Sequence, residues 1–235
     1  MKNYQKLELN NREKQANEYD QWYIKTKWIL FDKIEKLLFQ KNTDNSKIIL
    51  DLWSWTWRIS EAIQHKNKNI IAIDYSPTSI ELLQRKKIIN TDWRVADITK
   101  PLPFQDHSFD TIVSCQVLQH FHLDDLENIL QEINRILKPW WKLIFSVYNN
   151  DCIFYNGNFE EILWNGLYTK RFNKKLAKYL ANKTWLYIDK MLYYWVNPIL
   201  HKHNWKVNRF IELLLQHIPY INRKLGKYVF IILKK

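Results

Sequence analysis

The stretch Ile48-Ile49-Leu50-Asp51-Leu52-Trp53-Ser54-Trp55-Thr56-Trp57-Arg58 constrains the fold more than any other part of this chain. Its unbroken apolar run closing on Asp-Leu reads as a strand buried on both faces, the habit of a parallel sheet. An amphipathic segment follows, so the residues between must turn the chain from strand into helix. Such turns draw on glycine, which reaches positive φ without penalty and leaves bare backbone open to a bound group. Here tryptophan stands at 53, 55 and 57. It resists left-handed backbone and fills a cleft with a large ring. With glycine at those positions the stretch reads D-L-G-S-G-T-G-R.

Composition makes that exchange systematic. The chain carries 3 glycines and 12 tryptophans in 235 residues, where a soluble domain of this length holds roughly 16 glycines, about 7%. Lys138-Pro139-Trp140-Trp141-Lys142 lies between a helix and a strand, where a Pro-Gly-Gly turn belongs. Asp92-Trp93 and Asn204-Trp205 would become Asp-Gly and Asn-Gly, strong turn signals. The pattern is expected of a gene that uses UGA for glycine and was translated with UGA as tryptophan. Richness in Lys, Asn and Ile fits an AT-rich genome. Trp22 has no turn context and reads as a true tryptophan, while Trp28 and Trp195 take no assignment. The alternative is a Trp-rich protein whose loop is closed.

Elements alternate along the chain, which predicts a mostly parallel sheet with helices on both faces. The spacing of Ile24, Trp28, Phe31, Ile34, Leu37 and Leu38 predicts helix within about 7–40. Strands are expected at 47–52, 69–73, 94–96, 109–115 and 143–147. Helices are expected near 57–65, after Ser76-Pro77, and at 124–137, where Leu126, Ile129, Leu130, Ile133 and Ile136 share a face. Beyond Asn150 the pattern loosens into helical pieces, a strand near 186–194, a helix around 207–216 and a last strand at 228–233. The length suits one domain with a sizeable core.

The N-terminus is polar and shows no secretory signal, and no apolar run reaches bilayer length, so a cytoplasmic location is the expectation. Cys115 and Cys152 make neither a disulfide framework nor a zinc spacing. His120/His122 and His201/His203 lack a third ligand, so no metal site is expected. Charge is uneven. Residues 165–235 hold 15 Lys and Arg against Asp189 and Glu212, which accounts for the whole formal charge of +12. Interspersed tyrosines make that third suit RNA or an anionic surface; a lysine-rich solvated face is the plain alternative.

In order and spacing, residues 47–148 resemble a class I S-adenosylmethionine (SAM)-dependent methyltransferase of the type 11 group. The resemblance is carried by the 51–58 loop, Ile71-Ala72-Ile73-Asp74-Tyr75-Ser76, Val95-Ala96-Asp97-Ile98, Leu102-Pro103-Phe104, Ser108-Phe109-Asp110, Val117-Leu118-Gln119-His120 and Leu137-Lys138-Pro139-Trp140-Trp141-Lys142-Leu143-Ile144. It implies a Rossmann-like α/β three-layer sandwich, with a seven-stranded sheet whose last strand runs antiparallel. Residues 1–44 would form an N-terminal helical cap, 45–150 the cofactor-binding core, and 151–235 a basic part completing the sheet and acceptor pocket. The departures are the tryptophans and the unassigned C-terminal third.

SAM is the implied cofactor. Asp51 would hold its ammonium end, and Trp53, Ser54, Trp55 and Trp57, read as a glycine-rich loop, would put backbone N–H groups against its methionine part. Asp74 would accept both ribose hydroxyls, with Tyr75 beside it. Asp97 would accept from the adenine amino group while Ile98 packs on the ring. Backbone from Ser114 through Cys115 to Gln116 would line the pocket beside the sulfonium. Asp110 reads as a turn cap instead. His120 is the candidate general base if the acceptor is a hydroxyl, or a packing histidine. Tyr19 and Tyr23 close over the cofactor or belong to an amphipathic core.

Three functions follow. The first is methyl transfer to a small-molecule or lipid-like acceptor, under a roof of the N-terminal helix and residues 196–225. The second is RNA methylation through the basic third. The third is a non-catalytic SAM-fold protein, if the tryptophans are real. Nothing in the sequence specifies an oligomeric state.

Overall fold

The computed structural model of the chain describes residues 29–52, 58–85, 88–155, 158–163, 166–196 and 223–235. Helix α1 (Ile29–Thr43) leads into β1 (Ile48–Leu52), α2 (Arg58–Ile63), β2 (Asn69–Asp74), α3 (Pro77–Gln84) and β3 (Thr91–Val95). Then come β4 (Phe109–Cys115), a single 3-10 turn (Leu118–His120), α4 (Leu123–Ile136) and β5 (Leu137–Tyr148). A short hairpin, β6 (Glu160–Ile162) and β7 (Tyr168–Lys170), precedes α5 (Lys174–Lys183), β8 (Tyr187–Val196) and β9 (Gly226–Lys234).

The main sheet has seven strands in the order β3-β2-β1-β4-β5-β9-β8. Neighbours from β3 through β5 are parallel, and β9 runs antiparallel between β5 and β8. Alternation along each strand sends side chains to two cores. Leu50, Ile112, Leu143, Phe145 and Leu233 face α4 and α5, where Leu126, Ile129, Leu130, Ile133 and Leu180 meet them. Ile49, Ile70, Ala72, Val113, Ile144 and Phe230 face α1, α2 and α3, meeting Phe31, Phe39, Ile59, Ile63, Ile80 and Leu83. Burial on both faces explains the apolar runs Ile48-Ile49-Leu50 in β1 and Ile112-Val113 in β4. Among the described residues, no helix is long and apolar enough to cross a membrane.

Local signals set several boundaries. Ser76 Oγ accepts from the Ser79 N–H at 3.1 Å and Pro77 opens α3, a cap built from side chain and fixed φ together. Asn173 caps α5 in the same way, accepting from the Leu176 N–H at 2.9 Å. Asp110 accepts from the Lys47 and Ile48 N–H groups at 2.8 and 3.0 Å and from Lys138 Nζ at 2.7 Å, so it ties the start of β1 rather than facing a ligand.

Two turn expectations need correction. Trp93 lies inside β3 and is buried, because its indole packs in the α1–α3 core and its backbone pairs with Ala72. The segment 138–142 is not a free turn between α4 and a strand. β5 starts at Leu137, opposite Phe109, and Thr111 faces Lys142, so residues 138–141 bulge out of the ladder. Within that bulge Trp140 has φ 71° and is 84% exposed. Trp185, beyond α5, has φ 58° and is 86% exposed.

Candidate functional site

The carboxyl ends of β1 and β2 and the turn after β3 place Asp51, Asp74 and Asp97 along one edge, where open α/β sheets bind ligands. Asp51, the penultimate residue of β1, is buried, and its carboxylate accepts from Ser60 Oγ at 2.6 Å. Burial, reinforced by the charge of Asp74 nearby, raises its pKa to about 7. Asp74 closes β2, also buried, with Oδ1 accepting from the Ser76 N–H at 2.8 Å. Beside it Tyr75 is half-buried, and burial together with the Asp97 charge raises its phenol pKa. Asp97 Oδ1 accepts from the Thr99 N–H and Oγ1 at 2.9 and 2.7 Å, and Ile98 is buried against the core.

Sheet topology thus brings Asp51 next to Asp74, and Tyr75 next to Asp97. At the end of β4, Ser114 is fully buried and its Oγ has no hydrogen-bond partner among the described residues. Burial holds the Cys115 thiol well above its ordinary pKa, so it is no ready nucleophile. Gln116 follows in left-handed backbone, φ 57°, with its N–H donated to the Ser146 carbonyl at 3.0 Å. Trp53, Ser54, Trp55 and Trp57 lie outside the described residues, as do Tyr19, Tyr23, Trp205 and residues 197–222.

His120 belongs to the 3-10 turn and is buried. Its Nδ1 lies 2.9 Å from the Tyr168 carbonyl, an acceptor, so Nδ1–H donates there. Nε2 sits 3.4 Å from Gln119 Nε2, whose Oε1 accepts from the Tyr148 N–H at 2.9 Å. The β6–β7 hairpin packs on this turn, with the His122 and Tyr168 rings 4.0 Å apart. Sequence reasoning missed the hairpin, although Asn165-Gly166 beside Tyr168-Thr169 is a turn-and-strand signal. The same reasoning passed over Glu35, which reaches this edge from α1.

The donor set suits a cationic amino-acid and nucleoside ligand. Asp51 is a buried carboxylate that accepts from the hydroxyl and the backbone N–H of Ser60, and among the described residues no cation is paired with it. Asp74 ends β2 and Asp97 lies two residues beyond β3, on the same carboxyl edge.

Strand order, the antiparallel β9 and helices on both faces define a Rossmann-like α/β sandwich, the fold that solved SAM-dependent methyltransferases share. Residues 55–145 match the family described as a methyltransferase domain. An uncharacterised methyltransferase-like protein of Schizosaccharomyces pombe is 37% identical over 101 residues, 43% of this chain and 38% of that protein. The chain therefore spans well under half the length of that curated relative. The SAM-dependent methyltransferase of Archaeoglobus fulgidus is similar in structure at a TM-score of 0.65 and 16% identity, over 87% of this chain and 94% of that one. The Burkholderia thailandensis 1,6-didemethyltoxoflavin-N1-methyltransferase, solved with S-adenosylhomocysteine, gives 0.68 and 14%, over 99% and 88%.

Proposed function

We propose that this protein is a SAM-dependent methyltransferase acting on a small-molecule or lipid-like acceptor. The observation that carries the proposal is the row of acids, Asp51, Asp74 and Asp97, at or just beyond the carboxyl ends of successive parallel strands. Asp51 binds the ammonium group, Asp74 the ribose hydroxyls with Tyr75 alongside, and Asp97 with Ile98 the adenine. Ser114, Cys115 and Gln116 line the transfer side. SAM supplies a methyl group already activated on sulfur, so the protein's task is alignment and exclusion of water. For a hydroxyl acceptor, His120 takes the proton on Nε2, while Nδ1–H donates to the Tyr168 carbonyl. The hairpin brings Tyr168 and His122 close to this turn, an aromatic surround that suits a compact acceptor. The 1,6-didemethyltoxoflavin bound in the Burkholderia enzyme is a small molecule of that kind.

The loop reading belongs to the same proposal: the cell's protein carries glycine at 53, 55, 57, 140 and 141. Backbone geometry supports glycine at Trp140, whose φ of 71° is a region where tryptophan is costly. It adds Trp185, a position with the same signature. There the Leu186 N–H donates to the Ala181 carbonyl at 2.9 Å, the closing bond of a Schellman motif, whose left-handed residue is usually glycine.

A second reading, RNA methylation, is favoured by Lys174, Lys175, Lys178 and Lys183 standing exposed on α5. It predicts tRNA binding that weakens steeply with salt. The test of the main proposal is calorimetric titration of SAM into protein made with glycine at 53, 55 and 57, beside protein made with tryptophan there. Saturable one-site binding to the first alone is the expected result. Failure of the glycine form to bind removes the enzyme reading and leaves a SAM-fold protein without cofactor.

A further inference from the structure

Glu35 lies on α1, outside the residues that match the methyltransferase domain, and is fully buried. Among the described residues, the side-chain hydrogen bonds to its carboxylate come from outside α1. Oε2 accepts from Arg58 Nη2 at 2.6 Å and Nη1 at 3.2 Å. Oε1 accepts from Tyr194 Oη at 2.6 Å, Ser146 Oγ at 2.8 Å and Gln116 Nε2 at 3.3 Å. Asp32, one turn earlier on α1, takes Arg58 Nε at 2.7 Å, so two carboxylates fix the guanidinium in one plane. One carboxylate thereby gathers α2, the turn after β4, β5 and β8.

Stability alone is a poor reason for such a knot. A buried ion pair gains little over well-packed apolar side chains of the same volume, and the knot interrupts an otherwise apolar face. Its partners suggest the reason. Arg58 is the residue immediately after the 53–57 loop. Gln116 is the first residue beyond β4 and holds a left-handed conformation that costs a non-glycine residue about 1 kcal/mol or more. Its side chain is held by Glu35 and Ser146, both at 3.3 Å. Arg58 opens α2, the helix that follows β1, and Gln116 follows β4, the strand paired with β1.

We infer that Glu35 is a positioning residue: through Arg58 and Gln116 it holds the start of α2 and the turn after β4 at one fixed separation. The inference rests on the SAM reading above. It makes α1 part of the site without any contact between Glu35 and the ligand. Loosening Glu35 would leave the acids in place but let the two walls drift, which lowers affinity for a ligand that must touch both.

The test uses glycine-bearing protein and S-adenosylhomocysteine as the probe, by calorimetry well below the melting temperature. Glu35→Gln keeps the shape and removes the charge that organises Arg58. Phe39→Leu, on the same helix against Phe230, is the packing control. Glu35→Gln is expected to weaken binding about tenfold or more, while Phe39→Leu at a comparable loss of melting temperature stays within about twofold of the parent. Arg58→Lys keeps a cation beside Glu35 but loses the planar fork, and is expected to weaken binding several-fold in a protein that still folds. Binding by Glu35→Gln or Arg58→Lys at parental affinity overturns the inference, as does an equal loss in Phe39→Leu. A parent that fails to bind the probe overturns the SAM reading and this inference with it.

Discussion

Asp51 shows how one residue links fold, charge and ligand. Its position inside β1 buries the carboxyl, and burial lifts its pKa to about 7 from an ordinary value near 4. Between those values the folded protein holds a proton that the unfolded chain lacks. The stability tied to Asp51 is therefore full below about pH 4 and is lost as pH rises through about 7, by up to roughly 4 kcal/mol. Asp51→Asn removes that dependence. Thermal melts of variant and parent should diverge from pH 5 to pH 8, with the variant several degrees the more stable at pH 8. The same variant should lose at least about tenfold in S-adenosylhomocysteine affinity, because the ammonium loses its counter-charge. Parallel melting curves across that range would contradict the assignment. Asp74 and Asp97 were legible in the sequence as acids ending or following strands. Their turn bonds to Ser76 and Thr99 were not, since only the folded backbone shows which carboxylate oxygen is already engaged.

At the scale of elements, the core strands could be read because burial on both faces writes itself as short apolar runs, Ile48-Ile49-Leu50 in β1 and Ile112-Val113 in β4. Strand β4 matches its expected bounds, and α4 starts and ends within a residue of them. Strand β3 begins earlier than Arg94, since Thr91 and Asp92 pair with β2 although their side chains stay polar and solvated. The β6–β7 hairpin was missed because three-residue strands carry too little alternation to register. The Glu35 knot was illegible for a different reason: its members are scattered from α1 to β8, and no local pattern marks a contact made across the fold. Turn chemistry gives the sharpest prediction at this scale. Trp140→Gly and Trp185→Gly each relieve left-handed tryptophan, and each is expected to add about 1 kcal/mol, or 2–4 °C in melting temperature. Trp93→Gly, in the middle of β3, is expected to destabilise by about 3 kcal/mol or more through loss of a buried indole. Differential scanning calorimetry of the three variants checks the order; equal losses at all three positions would contradict it.

The whole molecule joins a sheet that places three acids on one edge to a chain that carries tryptophan at 53, 55 and 57, where the proposed cofactor loop needs glycine. The fold, the matched domain and the row of acids agree with each other. The tryptophans at 53, 55 and 57 disagree with all three, and local-global conflict of that kind is rare in sequences that fold. Reading them as glycine removes the conflict and opens the edge to its cofactor. The most direct measurement is the mass of one tryptic peptide from protein isolated from its own cells. Cleavage after Lys47 and after Arg58 releases Ile48–Arg58 intact. The account predicts a peptide lighter than the written sequence by three tryptophan-to-glycine exchanges. A mass matching tryptophan at 53, 55 and 57 would contradict it, and would leave a methyltransferase fold with a closed cofactor loop.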